Sequence, residues 1–338
     1  PDLSEFNIDI DRVDLLPVLK DIQEMKDDLV TVSAPWSPPS WMKTSSSLYS
    51  GSLKSEYEEV YVEYLLKYLL AYDEEGIDID YISIQNEPYH SNSTHPVMFM
   101  DYDQAIRISV MLGEAMQEEG LDTKIMGWDH NTDVPQYGLD LLDDDAANEY
   151  ISGIAFHGYY GDVFDLEYAF NLIHDAYPEK DLYFTEITAG DWSVDFANNI
   201  SYSMQNVISG SFNNYGKMVL YWNLVLDEDN GPVLGGGDNS HGLFTRANDD
   251  AWFSKSAEYY ALSHVSRFIH SDEGSARVID VQSSNEMIVA SAFERADGKV
   301  VLVLTNMSDR FPETAEIHYG DRVIEYELQQ QSVVTFVW

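Results

Sequence analysis

From Leu29 to His270, short apolar runs alternate with longer stretches in which apolar residues return every three or four positions. Leu29-Val30-Thr31-Val32-Ser33-Ala34 reads as a buried strand. Residues 55–72 read as a helix, because Tyr57, Val60, Tyr61, Tyr64, Leu65, Tyr68 and Leu69 fall at helical spacing. Ser55 and Glu58 fit a capping box at its start, and Gly76 closes it. The same reasoning predicts strands over residues 80–85, 124–127, 151–156, 181–185 and 217–221, and helices over 103–119, 166–177, 194–209 and 256–269. About six strand–helix units imply a parallel sheet covered by helices, an α/β chain of the (β/α)8 TIM-barrel type rather than an antiparallel fold. After Ser271 the pattern changes to short β-rich runs over 277–281, 287–293, 299–305, 314–319, 323–328 and 333–337, with a hairpin turn at Ala296-Asp297-Gly298. The expected organisation is a (β/α) barrel over 1–270 and a C-terminal antiparallel β-sandwich over 271–338.

Composition narrows the function. The 338 residues hold 44% hydrophobic residues, enough for a substantial core. No run of about 18 apolar residues exists, so no membrane span is expected. Eighteen basic against 60 acidic residues give a formal charge of −42, and the pI is near 4.1. Such a surface repels nucleic acid and anionic lipid. It also repels itself, and molar salt, with a Debye length of about 3 Å, would screen it. A high-salt habitat is the expectation. There is no cysteine, which excludes disulfides and thiolate metal sites. The first eleven residues are acidic and polar, and a secretion signal is expected ahead of Pro1 rather than within the chain.

In a (β/α) barrel the reactive side chains stand at the carboxyl ends of the strands. Here those ends carry Pro35-Trp36-Ser37, Gln85-Asn86-Glu87-Pro88, Trp128-Asp129-His130-Asn131, His157-Gly158-Tyr159-Tyr160, Glu186 and Trp222-Asn223. Singly, each has a plain structural explanation: Asn-Glu-Pro is a common turn, a histidine is often core, and a tryptophan is often packing. Jointly they suit a sugar, whose C–H faces stack on aromatic rings and whose hydroxyls need amide, imidazole and carboxylate partners. Glycoside hydrolysis with retention needs two carboxyls about 5 Å apart. Glu87 and Glu186 are the candidates, as acid/base and nucleophile, with Asn86 on the 2-hydroxyl. No His-Glu-x-x-His, Gly-x-Ser-x-Gly or phosphate-binding loop is present. Asp227-Glu228-Asp229-Asn230-Gly231 lacks calcium-loop spacing and reads as a turn. Asp143-Asp144-Asp145 reads as a solvated helix end. No cofactor and no metal are expected.

At these residues the chain resembles glycoside hydrolase family 30, the glucosylceramidase-like β-glycosidases. The matching stretches are residues 33–43, 51–54, 84–88, 153–157, 184–186 and 222–224, in the family's order, and the resemblance runs from near residue 5 to Trp338. It implies a (β/α) barrel with an attached β-sandwich, Glu87 as acid/base, Glu186 as nucleophile, and Trp36, Asn86, Tyr159 and Trp222 around the sugar, with His157 near the nucleophile. It also implies two barrel strands, a sugar-binding Asp and the early sandwich strands ahead of Pro1. Six strands cannot close an eight-stranded barrel without unpaired edges, so the chain is expected to be a fragment, one piece of a split gene, or a short form that closes by oligomerising. Residues 235–242 stand where many relatives carry a Cys pair and an Arg, on the leaving-group side.

The leading expectation is therefore a retaining β-glycoside hydrolase of β-glucosidase or glucosylceramidase type, secreted, acting on a carbohydrate or glycoside. Other family specificities, β-1,6-glucanase, β-xylosidase or fucosidase-like activity, stand beside it. A non-catalytic carbohydrate-binding remnant is the second class. A metal-dependent hydrolase with Asp129, His130 and His157 as ligands is the third.

Overall fold

In the computed structural model, residues 2–26, 28–92, 94–233, 239–271 and 274–338 are described. They form two compact units, 1–156 with 173–181, and 157–172 with 182–338.

The first unit begins with helices α1 (Asp9–Val13) and α2 (Leu15–Met25), which the sequence reading passed over. Strand β1 (Val32–Ser33), helix α3 (Glu58–Glu74), strand β2 (Tyr81–Ser83), helix α4 (Tyr102–Glu119), strand β3 (Lys124–Asn131), helices α5 (Gln136–Leu142) and α6 (Asp145–Tyr150) and strand β4 (Ile151–His157) follow. Strands β1, β2 and β3 pair in parallel, Val32 against Tyr81 and Tyr81 against Lys124, and β4 comes next in the sheet. The core is the apolar face of α3 and α4 on these strands: Tyr61, Leu65, Leu69, Ile108, Leu112, Ile82, Ile125 and Met126 are buried. Tyr61 Oη donates to the Ile84 carbonyl at 2.8 Å, which satisfies the one polar atom of a fully buried ring.

Two local readings are corrected here. The strand expected over 29–34 shrinks to Val32–Ser33. Thr31 donates its N–H to the Asp80 carboxylate at 2.7 Å, so a side chain replaces the ladder, and Val30 is exposed. The capping box does not form. Ser55 opens a single 3-10 turn, Tyr57 is the helix cap, and no side chain bonds there. Glu58 is instead buried and grips Arg107 on α4 with both oxygens, at 2.8 and 2.9 Å, while Gln104 donates at 2.8 Å. The Arg107 guanidinium holds the Glu58 carboxyl below its ordinary range. Asp144 is a helix cap, as its acidic cluster suggested: it accepts from the N–H groups of Ala146 and Ala147 at the start of α6.

The second unit holds most of helix α7 (Val163–Ala176), then β5 (Asp181–Glu186), β6 (Ala189–Gly190), α8 (Phe196–Tyr202), α9 (Gly210–Asn213) and β7 (Gly216–Val219). Strands β5 and β7 run parallel, with Phe184 against Val219. The single helix expected over 194–209 is broken. Asp195 caps α8 by accepting from the Asn198 N–H, but residues Ser203–Ser209 widen into π-helix before α9 resumes. Such widened turns collect at functional sites. Six barrel-type strands thus alternate with helices among the described residues, four in the first unit and two in the second, in TIM-barrel order.

Beyond β7 a small three-stranded sheet, β8 (Val225–Asp227), β10 (Phe244–Arg246) and β11 (Phe253–Lys255), and the short strand β9 (Ser240–His241) were not foreseen. Asp227 Oδ1 accepts from the N–H groups of Asp229 and Gly231, so residues 227–231 form the expected turn. Helix α10 (Ala257–Ile269) leads to the β-sandwich. Its strands β12 (Arg277–Ile279), β13 (Ile288–Glu294), β14 (Val300–Asn306) and β17 (Val333–Val337) form one antiparallel sheet, and β15 (Glu313–Tyr319) pairs with β16 (Arg322–Leu328). Ile288, Ala292, Leu302, Leu304 and Leu328 make its core. Asn306 Nδ2 donates to the carbonyls of Phe311, Leu328 and Gln329 and ties the hairpin to the sheet. No helix among the described residues is long and apolar enough to cross a membrane.

Candidate functional site

Strand β2 delivers Gln85, Asn86 and Glu87 directly past its carboxyl end, and all three are buried. The backbone is held there from two sides. The Asn86 N–H donates to the Pro35 carbonyl at 2.9 Å, the Glu87 N–H to the Asp129 carbonyl at 3.0 Å, and Gln85 Nε2 to the Trp36 carbonyl at 3.0 Å. Trp36, Asn86 and Glu87 therefore belong to one network in the first unit. Glu87 has φ of +46°, a left-handed conformation that costs a non-glycine residue free energy and marks functional positions. Trp128 and Asp129 on β3 share that region, with φ of 69° and 54°.

Histidines flank the Glu87 carboxylate. His90 Nδ1 lies 3.4 Å from Oε2, and His130 Nδ1 lies 3.6 Å from Oε1. His95 stacks on His90 with centroids 5.4 Å apart and meets the Trp36 ring edge-on at 5.3 Å. Burial, aided by His90, lowers the His95 pKa and favours its neutral form. The sequence reading missed His90 and His95. Their signal was a loop with two histidines within eight residues of the candidate glutamate.

Lys43, inside the stretch that carries the resemblance, is wholly buried. Its Nζ donates to Ser37 Oγ and to the carbonyls of Leu48 and Val97, so it ties three loop segments of the first unit together. Burial lowers its pKa to about 8.

The second unit holds the other group. Glu186 ends β5, and Tyr159 Oη donates to its Oε1 at 2.9 Å. Gly158 donates its N–H to the Glu186 carbonyl at 2.9 Å. A Cβ on Gly158 would sit 2.6 Å from the Phe184 ring and 2.9 Å from Ile187, so only glycine lets this loop lie against the strand. His157 is buried with its ring 6.1 Å from that of Tyr159. Trp222 is half-exposed, and its N–H donates to the Ile187 carbonyl at 2.8 Å. A cavity of about 370 Å³ opens beside Tyr159, between the loops that follow β4 and β5. Part of the 235–242 loop, residues 235–238, lies outside the described residues.

Comparison with known proteins gives a consistent result. The family model described as glycosyl hydrolase family 30 TIM-barrel domain matches residues 2–269, and that of the family 30 beta sandwich domain matches 274–336. An endo-1,6-beta-D-glucanase of Neurospora crassa is 30% identical over 99% of this chain and 70% of its own length. The lysosomal acid glucosylceramidase of Mus musculus is 26% identical over 90% of this chain and 62% of its own. The solved structure of an endo-beta1,6-glucanase superposes with a TM-score of 0.89 at 31% identity, over 97% of this chain and 75% of that one. The chain spans 56–70% of the length of eight such curated relatives.

Proposed function

We propose that this chain, which belongs to glycosyl hydrolase family 30, cleaves β-glucosidic bonds with retention, Glu87 serving as acid/base and Glu186 as nucleophile. In the first step the Glu87 carboxyl protonates the leaving oxygen while the Glu186 carboxylate attacks the anomeric carbon, forming a glycosyl ester. In the second, Glu87 takes a proton from water, and that water displaces Glu186. Asn86 holds the 2-hydroxyl, Trp36 and Trp222 stack on the sugar, and His157 with Tyr159 frames the nucleophile. The observation that carries the reading is the Tyr159–Glu186 hydrogen bond at a strand's carboxyl end. A phenol donating to a carboxylate oxygen stabilises the negative charge that a nucleophilic carboxylate must carry. Neither step calls on a metal, so activity should persist in chelator.

Two specificities compete. The N. crassa relative and the superposed structure, at 30 and 31% identity, are both named 1,6-β-glucanases. Relatives named as glucosylceramidases stand at 24–30%, at or below those values. The balance favours a β-1,6-glucan over a glycolipid. The working division is a catalytic barrel over 1–270 and a sandwich over 271–338, acting outside the cell. The charge of −42 supports a fold that depends on salt. A melting temperature that stays constant between low and molar salt contradicts that dependence.

The test is hydrolysis of 4-nitrophenyl β-glucoside by Glu87→Ala and Glu186→Ala. Both should lose activity, and azide should rescue the Glu186 variant with an inverted glucosyl azide as product. Wild-type rates in both variants would end the assignment.

A further inference from the structure

The cavity beside Tyr159 is not lined by Glu186 and is built almost entirely from residues with no part in the two-step reaction. Its floor is polar and buried. Glu258, in the first turn of α10, is 5% exposed, and no cation pairs with it among the described residues. The Tyr221 hydroxyl beside it is buried, and Ser203 makes no hydrogen bond of good geometry to it. Ser203 opens the π-helical segment, so the widened turn itself forms part of the wall.

The rim is aromatic. Trp192 is 60% exposed, and its six-membered ring lies over the backbone of Gly190, where an added Cβ would come within 2.1 Å. The loop that carries it is pinned. Ala189 and Gly190 pair with His241 and Ser240, and the Asp191 N–H donates to the Asn239 carbonyl. The ring is thus fixed in place with much of its surface left to solvent. A buried carboxylate needs donors, and a buried phenol with no satisfied bond needs a partner. An exposed, pre-positioned indole offers a flat apolar platform. An anion would be repelled by Glu258, and the wall provides no lysine or arginine. A neutral polyhydroxylated ring answers both demands, with hydroxyls to the floor and a C–H face to the rim. The volume of about 370 Å³ is at the lower end of the range for small-ligand sites.

We propose that this cavity is a saccharide subsite for a further glucose unit of the substrate, with Trp192 as its stacking platform and Glu258 and Tyr221 as its hydroxyl partners. It rests on the glycosidase reading and adds to it the place and the residues that hold a second sugar of the substrate. Tyr159 links the two, since it lines the cavity and holds Glu186.

The probes are gentiotriose, a β-1,6-linked glucose trimer, and 4-nitrophenyl β-glucoside, which carries one sugar. Trp192→Ala and Glu258→Gln should each lower kcat/KM for the trimer about tenfold more than for the aryl glucoside. A ratio equal to that of the wild type in both variants overturns the subsite. Tryptophan fluorescence titration with gentiotriose, each protein carrying Glu186→Gln so that the trimer is not hydrolysed, gives a readout free of turnover. The wild type should show saturable quenching, and both variants should bind about tenfold more weakly. Absent hydrolysis with that weakening intact would defeat the glycosidase reading and keep the subsite. Equal affinity in the wild type and both variants, or no saturable quenching by the wild type, would defeat the subsite. Trp192 is a surface residue and Glu258→Gln keeps the side-chain shape, so both variants should fold.

Discussion

Glu87 and Glu186 both stand at the carboxyl end of a strand, yet their surroundings differ in kind. Glu87 is buried, sits on left-handed backbone and is flanked by two imidazoles at 3.4 and 3.6 Å. Glu186 is half-buried, ends β5 and accepts from the Tyr159 phenol at 2.9 Å. A group that must give and take a proton within one cycle benefits from titratable neighbours and a dry setting. A group that must stay ionised until it attacks benefits from a fixed neutral donor. Two carboxyls in the same kind of position can thus be suited to different work, and the proposed roles follow the groups that touch each one.

Substitutions at and around the two carboxyls probe this contrast. The largest effect belongs to Glu186→Ala, which should lower kcat by about 10⁴-fold or more whatever the leaving group. Glu87→Ala should lose about 10²–10⁴-fold with an alkyl leaving group and less with 4-nitrophenolate, which departs without a proton. Equal sensitivity of the two variants to the leaving group, measured across an aryl glucoside series, would erase the distinction. Tyr159→Phe removes one bond to a charged oxygen and should lower kcat/KM about 10–100-fold, read from the same assay.

Next comes the frame behind Glu87. Arg107→Ala frees the buried Glu58 carboxylate and should cost about 1–3 kcal/mol by urea unfolding at neutral pH. Glu58 has a depressed folded pKa, so its contribution is present above the ordinary carboxylate pKa and fades as pH falls through the folded value. The gap between wild type and variant should therefore close in acid, and a gap constant with pH would refute the pairing.

The smallest effect separates the two backbones. Glu87→Gly relieves a left-handed residue and should raise stability by about 1 kcal/mol while losing activity as Glu87→Ala does. Glu186→Gly loosens an ordinary strand and should lower stability by about 0.5–1 kcal/mol. Opposite signs in chemical denaturation are the expected result.

Much of this arrangement was legible in the chain. Strand ends could be found because buried parallel strands are short apolar runs, as in Ile154-Ala155-Phe156 before His157, while Gln85-Asn86-Glu87 follows the polar-interrupted Tyr81-Ile82-Ser83-Ile84. The sandwich was legible because Val300–Asn306 is apolar on both faces and a turn precedes it. What escaped depended on partners distant in sequence. Glu58 looked like a capping residue because Ser55 lies three positions before it, but Arg107, 49 positions later, claims both its oxygens. Thr31 looked like strand until Asp80 took its N–H. The π-helical stretch has ordinary helical periodicity, so nothing in the spacing marks it. His90 was hidden for a similar reason: a loop histidine gains meaning only when the carboxylate three residues earlier turns toward it.

The central claim is that Glu186 forms the covalent bond to the sugar. Incubation with a 2-deoxy-2-fluoro-β-glucosyl fluoride, followed by proteolysis and peptide mass spectrometry, tests it directly. A nucleophilic Glu186 gives one fluoroglucosyl adduct, on the peptide containing Glu186 and on that side chain, and none in Glu186→Gln. An adduct on Glu87 or any other carboxylate, or rapid turnover by Glu186→Gln, would contradict it.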